Sequence, residues 1–336
     1  MTELRIEAVR GPIVESVHRV SAVVVDTAGN RLAWSGDPEL VTFWRSAAKP
    51  FQAIPVIDDG AADRFELSAE DLALICASHS SEPVHLDAID RLLARIGCGE
   101  SDLGCGGHPP LSEKVAREVS RQGIEPTPRW SNCSGNHAGM LALAKHHGWD
   151  VESYYQSGHP VQDRLLAEIA EWTDVPASDI VLGVDGCTTV SYGLPLTGMA
   201  LAYARLGSSS SPAARRIRQA MIEHPLVVGG HQRPCSDIMR AAGGAVLVKI
   251  GAEGVYGATV VGAGIGIALK VEDGGMRSAP IALLAIVRQL AAHGTVTGDF
   301  DEWLDEVEQH ATEAINNTRG EPTGTMRPAG ELHFPA

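Results

Sequence analysis

Ser46 and Lys49, within Arg45-Ser46-Ala47-Ala48-Lys49-Pro50, are the residues whose types and spacing most directly suggest chemistry. On a helix, residues three apart share a face, so the lysine amine can reach the serine hydroxyl. A serine hydroxyl is a weak nucleophile near neutral pH and needs an adjacent base. A lysine supplies one only where burial or a neighbouring cation keeps its amine neutral. Taken alone, S-x-x-K also describes a solvated pair on a helix surface. Its surroundings argue otherwise: Phe43, Trp44, Pro50 and Phe51 make an apolar setting. Ser78-His79-Ser80 and Lys249-Ile250-Gly251 then follow along the chain.

The composition suits a soluble enzyme. A chain of 336 residues can bury a large core, and its 44% apolar and 21% charged content is ordinary for a globular protein. A net charge of −15 disfavours a nucleic-acid or anionic-membrane partner. No run approaches the roughly 18 apolar residues of a spanning helix. The start, MTELRIEAVRGP, lacks the basic and apolar regions of a secretory signal, so a cytoplasmic location is expected. The six cysteines show no C-x-x-C spacing and are expected as free, mostly buried thiols.

The elements that must position these residues fall into three stretches. A β-branched run over residues 17–26, a break at Thr27-Ala28-Gly29-Asn30, and residues 31–35 predict a hairpin. A helix is expected from near Ser46, shortened or kinked by Pro50 and Pro55. Ser68-Ala69-Glu70-Asp71 reads as a capping box. Residues 86–96, 137–147, 161–172 and 212–222 read as helices, and Ile180–Val184 as a short buried strand. Three runs at 245–250, 255–261 and 265–271 predict an antiparallel meander, and a helix should cover 280–292. The glycines of Gly262-Ala263-Gly264-Ile265-Gly266 precede a strand rather than a helix, which rules against a phosphate loop. Residues 319–336 read as a loosely held tail. With no linker and no repeat, the expectation is one α/β (α+β) domain, its antiparallel sheet assembled from both chain ends around a helical part.

Several motifs coincide in order: Val14-Glu15-Ser16-Val17-His18-Arg19, the Ser46/Lys49 segment, Ala77-Ser78-His79-Ser80, Cys105-Gly106-Gly107-His108-Pro109, Cys133-Ser134-Gly135-Asn136-His137, Gly158-His159-Pro160, Asp185-Gly186-Cys187 and Lys249-Ile250-Gly251-Ala252-Glu253-Gly254. In these the chain resembles the Rhizobium-type, asparaginase II-like L-asparaginases. The resemblance implies a fold like that of the serine β-lactamases and penicillin-binding proteins, which also use S-x-x-K and K-x-G elements. It implies hydrolysis of L-asparagine to L-aspartate and ammonia through an acyl-enzyme, with no organic cofactor and with a homodimer as the working form. Ser46 is then expected as nucleophile, with Lys49 as its base. Lys249 keeps that base neutral, and Ser78 relays the proton. Exchanging the roles of Ser46 and Ser78 fits the sequence nearly as well, and Lys270 is the alternative second lysine. Arg45 and Asp185 are expected to hold the α-carboxylate and α-ammonium of the substrate, with His79 and Ser80 shaping the pocket.

The resemblance also implies a zinc ion held by two cysteines and a lysine. Cys133 and Cys187 fall on the cysteine positions, but Asn136 stands where the family has lysine. An amide oxygen is a weaker zinc ligand than thiolate or imidazole, so any zinc should be loosely held. The alternatives to an asparaginase are an enzyme of the same fold acting on glutamine, a β-aspartyl derivative, a peptide or an ester, and a catalytically silent binding protein.

Overall fold

The computed structural model describes residues 3–298 and 300–335. The chain divides into two compact units, one formed by Met1–Ala47, Leu194–Ser208 and Ile238–Ala336, the other by Ala48–Gly193 and Ser209–Asp237.

The first unit is built on an antiparallel sheet. Its early strands are β1 (Arg5–Arg10), β2 (Ile13–Asp26) and β3 (Arg31–Ser35), followed by the short β4 (Val41–Phe43). In chain order β5 (Val181–Val184) and β6 (Val190–Pro195), which are not part of this sheet, come next, and then β7 (Val246–Gly251), β8 (Val255–Val260), β9 (Ile265–Val271), β10 (Glu313–Asn316) and β11 (Pro322–Ala329). The large sheet runs β10-β11-β1-β2-β9-β8-β7, with β3 on β2. Both chain ends therefore enter one sheet, and the hairpin and the meander appear as expected. In β2, Val23, Val24 and Val25 are all fully buried. Successive strand side chains point to opposite faces, so both faces are covered here.

The helix Leu196–Ser208 packs closely on this sheet, and glycine permits it. A Cβ on Gly266 would sit 1.9 Å from the Ala200 carbonyl oxygen, and one on Gly207 would sit 2.0 Å from Thr259 Oγ1. The helix Ser278–His293 packs against β9, β1 and β11.

Two expectations need correction. Residues 319–336 are no loose tail, although Ala336 lies outside the described residues. β11 pairs with β1 from Arg5↔Ala329 to Val9↔Thr325, and Met326 is buried. Glycine and proline in its sequence disguised a strand whose partner lies at the far end of the chain. Nor is β5 buried: Val181 is 54% and Val184 83% exposed. An apolar four-residue run does not by itself reveal what covers it.

The second unit is mostly helical. The helix Ala69–Ile75 begins at Ser68, whose hydroxyl accepts from Asp71 N while the Asp71 carboxylate accepts from Ser68 N, the expected capping box. It packs against the helices Lys49–Asp58, Pro83–Arg95, Ser134–His147 and Pro212–Glu223. Gly135 and Gly139 allow one of these approaches, because Cβ atoms there would lie 2.1 Å from the Leu74 carbonyl oxygen and 2.6 Å from Ile75 Cγ2. The start of Ser134–His147 is thereby fixed beside the end of Ala69–Ile75, where the chain runs on into Ser78. β5 and β6 add a hairpin paired from Val181↔Gly193 to Val184↔Val190. Among the described residues no helix is long and apolar enough to cross a membrane.

Candidate active site

In the helical unit a buried lysine collects the chemistry. Pro50 stands in the first turn of the helix Lys49–Asp58, where its missing N–H costs no helical bond. Lys49 itself is only 3% exposed. Its Nζ donates to the Ala77 carbonyl oxygen at 2.6 Å, to Ser78 Oγ at 3.3 Å and to Cys133 Sγ at 3.2 Å. Three donors meet three acceptors, the pattern of an ammonium. Two of the acceptors, the Ser78 hydroxyl and the Cys133 sulfur, can exchange protons with the lysine.

Cys133 is held as a thiolate. The Cys187 thiol donates to its sulfur, and the Lys49 charge and hydrogen bond add to the effect, together outweighing burial and the repulsion of Asp185. The Cys187 thiol is correspondingly pushed well above the usual range, first by that same hydrogen bond and then by burial. Asp185 and Cys187 lie in the turn between β5 and β6. There Thr188 N donates to Asp185 O at 2.9 Å and Asp185 N to Thr189 O at 2.8 Å. Thr188 occupies φ 80°, a costly conformation for a β-branched residue, and its Oγ1 donates to the Gly104 carbonyl oxygen at 2.8 Å.

Around this pair the histidines are kept neutral. Burial and then the Lys49 charge push His137 down to about 3. Tyr154 Oη accepts from Gly104 N at 2.8 Å and is thus free to donate to His137 Nδ1 at 2.6 Å. His79 is depressed mainly by burial, with His85 and Lys49 adding. His79 Nδ1 accepts from Ser81 N, which leaves Nε2 to donate to Ser134 Oγ at 2.9 Å. Ser80 Oγ donates to the Gly229 carbonyl oxygen at 2.6 Å. His79 and Ser80 are both fully buried, so the bonds they make hold the loop that carries Ser78. His108 is likewise tied into the unit, its Nε2 accepting from Asn132 N at 2.9 Å.

Residues 228–237 were not marked by any sequence pattern above, although they brace Ser78 and its loop. Ser78 N donates to the Val228 carbonyl oxygen at 3.0 Å. The consecutive glycines Gly229 and Gly230, with Pro234 shortly after, were the available turn signal.

Among the described residues no three His, Cys, Asp or Glu side chains group as a metal site. The donors at the family's zinc positions are a thiolate, a thiol and Asn136 Oδ1, which is buried without a hydrogen-bond partner. An ammonium already bonds Cys133. Two sulfurs that share one proton, one of them against a cation, with a single amide oxygen, do not fit a resident zinc ion.

In the sheet unit, Arg45 and Ser46 lie in a single 3₁₀ turn, Arg45–Ala48, with Arg45 at φ 53°. Lys249 is fully buried on β7, and its Nζ donates to the Ile250 carbonyl oxygen at 2.8 Å. The glycine of K-x-G has a steric role here. A Cβ on Gly251 would lie 2.9 Å from the Trp44 carbonyl oxygen and 3.2 Å from Arg45 Cβ. β7 therefore packs directly on the turn that carries Ser46. Tyr203 Oη secures that turn by donating to the Ala47 carbonyl oxygen at 2.7 Å. Lys270 donates to the carbonyl oxygens of Glu253 at 2.7 Å, Glu272 at 3.4 Å and Val271.

No curated protein matches the chain. Residues 6–328 match the family model described as L-asparaginase II, nearly the whole chain. The protein belongs to the L-asparaginase II family, and that membership makes it an amidohydrolase.

Proposed function

We propose that the protein hydrolyses L-asparagine to L-aspartate and ammonia, and that Ser78 and Lys49 carry the acyl transfer. The observation behind this reading is the buried Lys49 ammonium bonded at once to a serine hydroxyl and a thiolate. Passing its proton to the Cys133 thiolate leaves Lys49 a neutral amine. Its lone pair then takes the Ser78 proton as Oγ attacks the side-chain amide carbon. Lys49, protonated again, returns that proton to the departing nitrogen, so ammonia leaves and an aspartyl ester remains on Ser78. Water activated by the same amine hydrolyses the ester and frees aspartate. Asp185 pairs with the substrate α-ammonium. Ser46 and Lys249 form a second Ser–Lys set that supports turnover. A serine β-lactamase-like arrangement is part of this reading, supported by the S-x-x-K at a helix start and the K-x-G on a strand.

The test is ammonia release from L-asparagine, L-glutamine and a β-aspartyl peptide. Asparagine should be turned over fastest, and Ser78→Ala should lose about 10³-fold or more. Equal rates on all three amides would remove the substrate assignment, and no release from any would remove the reading as a whole.

A further inference from the structure

On the helical unit an open cleft of about 990 Å³ is bounded on one side by the helix Glu113–Gln122. Lys114, Arg117, Glu118 and Arg121 line it from that helix, and Glu82 and His231 face them. The helical residues are spaced i, i+3, i+4 and i+7, which places their side chains on one face. Both acids are already engaged. Glu118 pairs with Arg121 at 2.7 Å and accepts from Gln122 Nε2 at 2.6 Å. Glu82 is buried and accepts from His231 N at 3.0 Å as well as bonding the His231 ring.

The bases are not balanced in the same way. Lys114 makes no ion pair or hydrogen bond among the described residues. Among the described residues Arg117 has Glu113 at 3.8 Å and the Glu113 backbone carbonyl oxygen as partners. The same helix starts at Ser112, which also lines the cleft and offers no side-chain cap to the first N–H groups. Free positive charge and uncapped helical N–H groups thus meet in one hollow of a chain whose net charge is −15.

The far wall of the cleft is continuous with the Ser78 loop. Ser78 N bonds the Val228 carbonyl oxygen, Ser80 Oγ bonds that of Gly229, and His231 N bonds Glu82. Gly230, at φ 117°, lies so close that a Cβ would stand 2.4 Å from Ser80 Oγ and 2.8 Å from Glu82 Oε1. Residues 78–82 and 228–231 are therefore joined by hydrogen bonds and close contacts along their length.

We propose that this cleft is a second binding site for a small doubly charged oxyanion, a dicarboxylate or phosphate, and that its occupancy adjusts turnover at Ser78. Binding stands apart from the hydrolase reading, whereas the effect on turnover rests on it. The test is calorimetric titration of the full chain at low salt with succinate and, separately, with inorganic phosphate. The tighter of the two names the source of the anion. Lys114→Ala with Arg117→Ala, both exposed, should weaken binding at least tenfold and leave basal turnover unchanged. Ser78→Ala should bind as wild type does, which separates this site from the active site. If neither anion binds, or the double variant binds as wild type does, the site is overturned. Saturating anion should change asparagine turnover at least twofold in wild type and not in the double variant. Binding without such a change overturns the coupling alone, and binding by a protein inactive on every amide overturns the hydrolase reading but not the site.

Discussion

Lys49 and Lys270 are chemically identical side chains with the same number of hydrogen bonds and opposite prospects. Lys270 gives all three to backbone carbonyl oxygens, at the end of β9 and in the turn between β7 and β8, and burial lowers its pKa. Carbonyl oxygens have no proton to give and cannot take one at ordinary pH, so this ammonium can only brace a turn. Lys49 gives one bond to a carbonyl and two to groups that exchange protons. What separates a structural lysine from a reactive one is the identity of its acceptors, more than its burial or the number of its bonds.

Arginine at each position should break the symmetry most sharply. Arg keeps the charge and the donors but does not deprotonate in proteins. Lys49→Arg should therefore lower asparagine turnover by about 10³-fold or more, the scale of losing a general base. Lys270→Arg should stay within about twofold of wild type, as expected for a lysine that braces a turn. Steady-state ammonia release reads both, and similar losses at the two positions would erase the distinction drawn here.

A smaller effect should appear in stability. The Lys49 region holds His137 and His79 neutral, whereas near Lys270 the Asp273 carboxyl is lowered, against its burial, by the Gly275 N–H and then by the His18 ring. For His137 the folded value of about 3 lies below the unfolded value of about 6.5. Between those two pH values the unfolded chain takes up a proton that the folded chain refuses. Stability from this residue is thus unaffected above pH 6.5 and is lost as pH falls toward 3. The slope approaches about 1.4 kcal/mol per pH unit, with His79 acting in the same direction. Urea midpoints at pH 7 and pH 5 measure it, and equal midpoints would mean that these rings are not held neutral.

The smallest effect expected is none. Because the Cys133, Cys187 and Asn136 set does not fit zinc, dialysis against EDTA should leave turnover unchanged, and the purified protein should carry well under one zinc per chain. Stoichiometric zinc that resists EDTA would show that the Lys49–Cys133 contact gives way to metal in solution.

Much of this was legible in the residues themselves. The meander announced itself through β-branched runs between glycines, and the capping box through Ser68 and Asp71. Lys49 was marked by an apolar setting and a serine at helical spacing. Its bond to Ser78 was not legible. The i, i+3 rule pointed to Ser46, whereas the bond to Ser78 depends on where the helix Ala69–Ile75 ends, a matter of tertiary packing set partly by Gly135 and Gly139. The pairing of β11 with β1 was hidden for a related reason, since no local pattern records a partner some three hundred residues away. The Thr188 conformation left no trace, because threonine is among the last residues expected at positive φ.

The central claim is that Ser78, served by Lys49, receives the aspartyl group. Rapid quenching of wild-type protein in turnover with L-asparagine, followed by proteolysis and peptide mass spectrometry, locates that ester directly. The account predicts an aspartyl ester on the peptide that contains Ser78, and none after Ser78→Ala. An ester on the peptide that contains Ser46, persisting in Ser78→Ala, would contradict it.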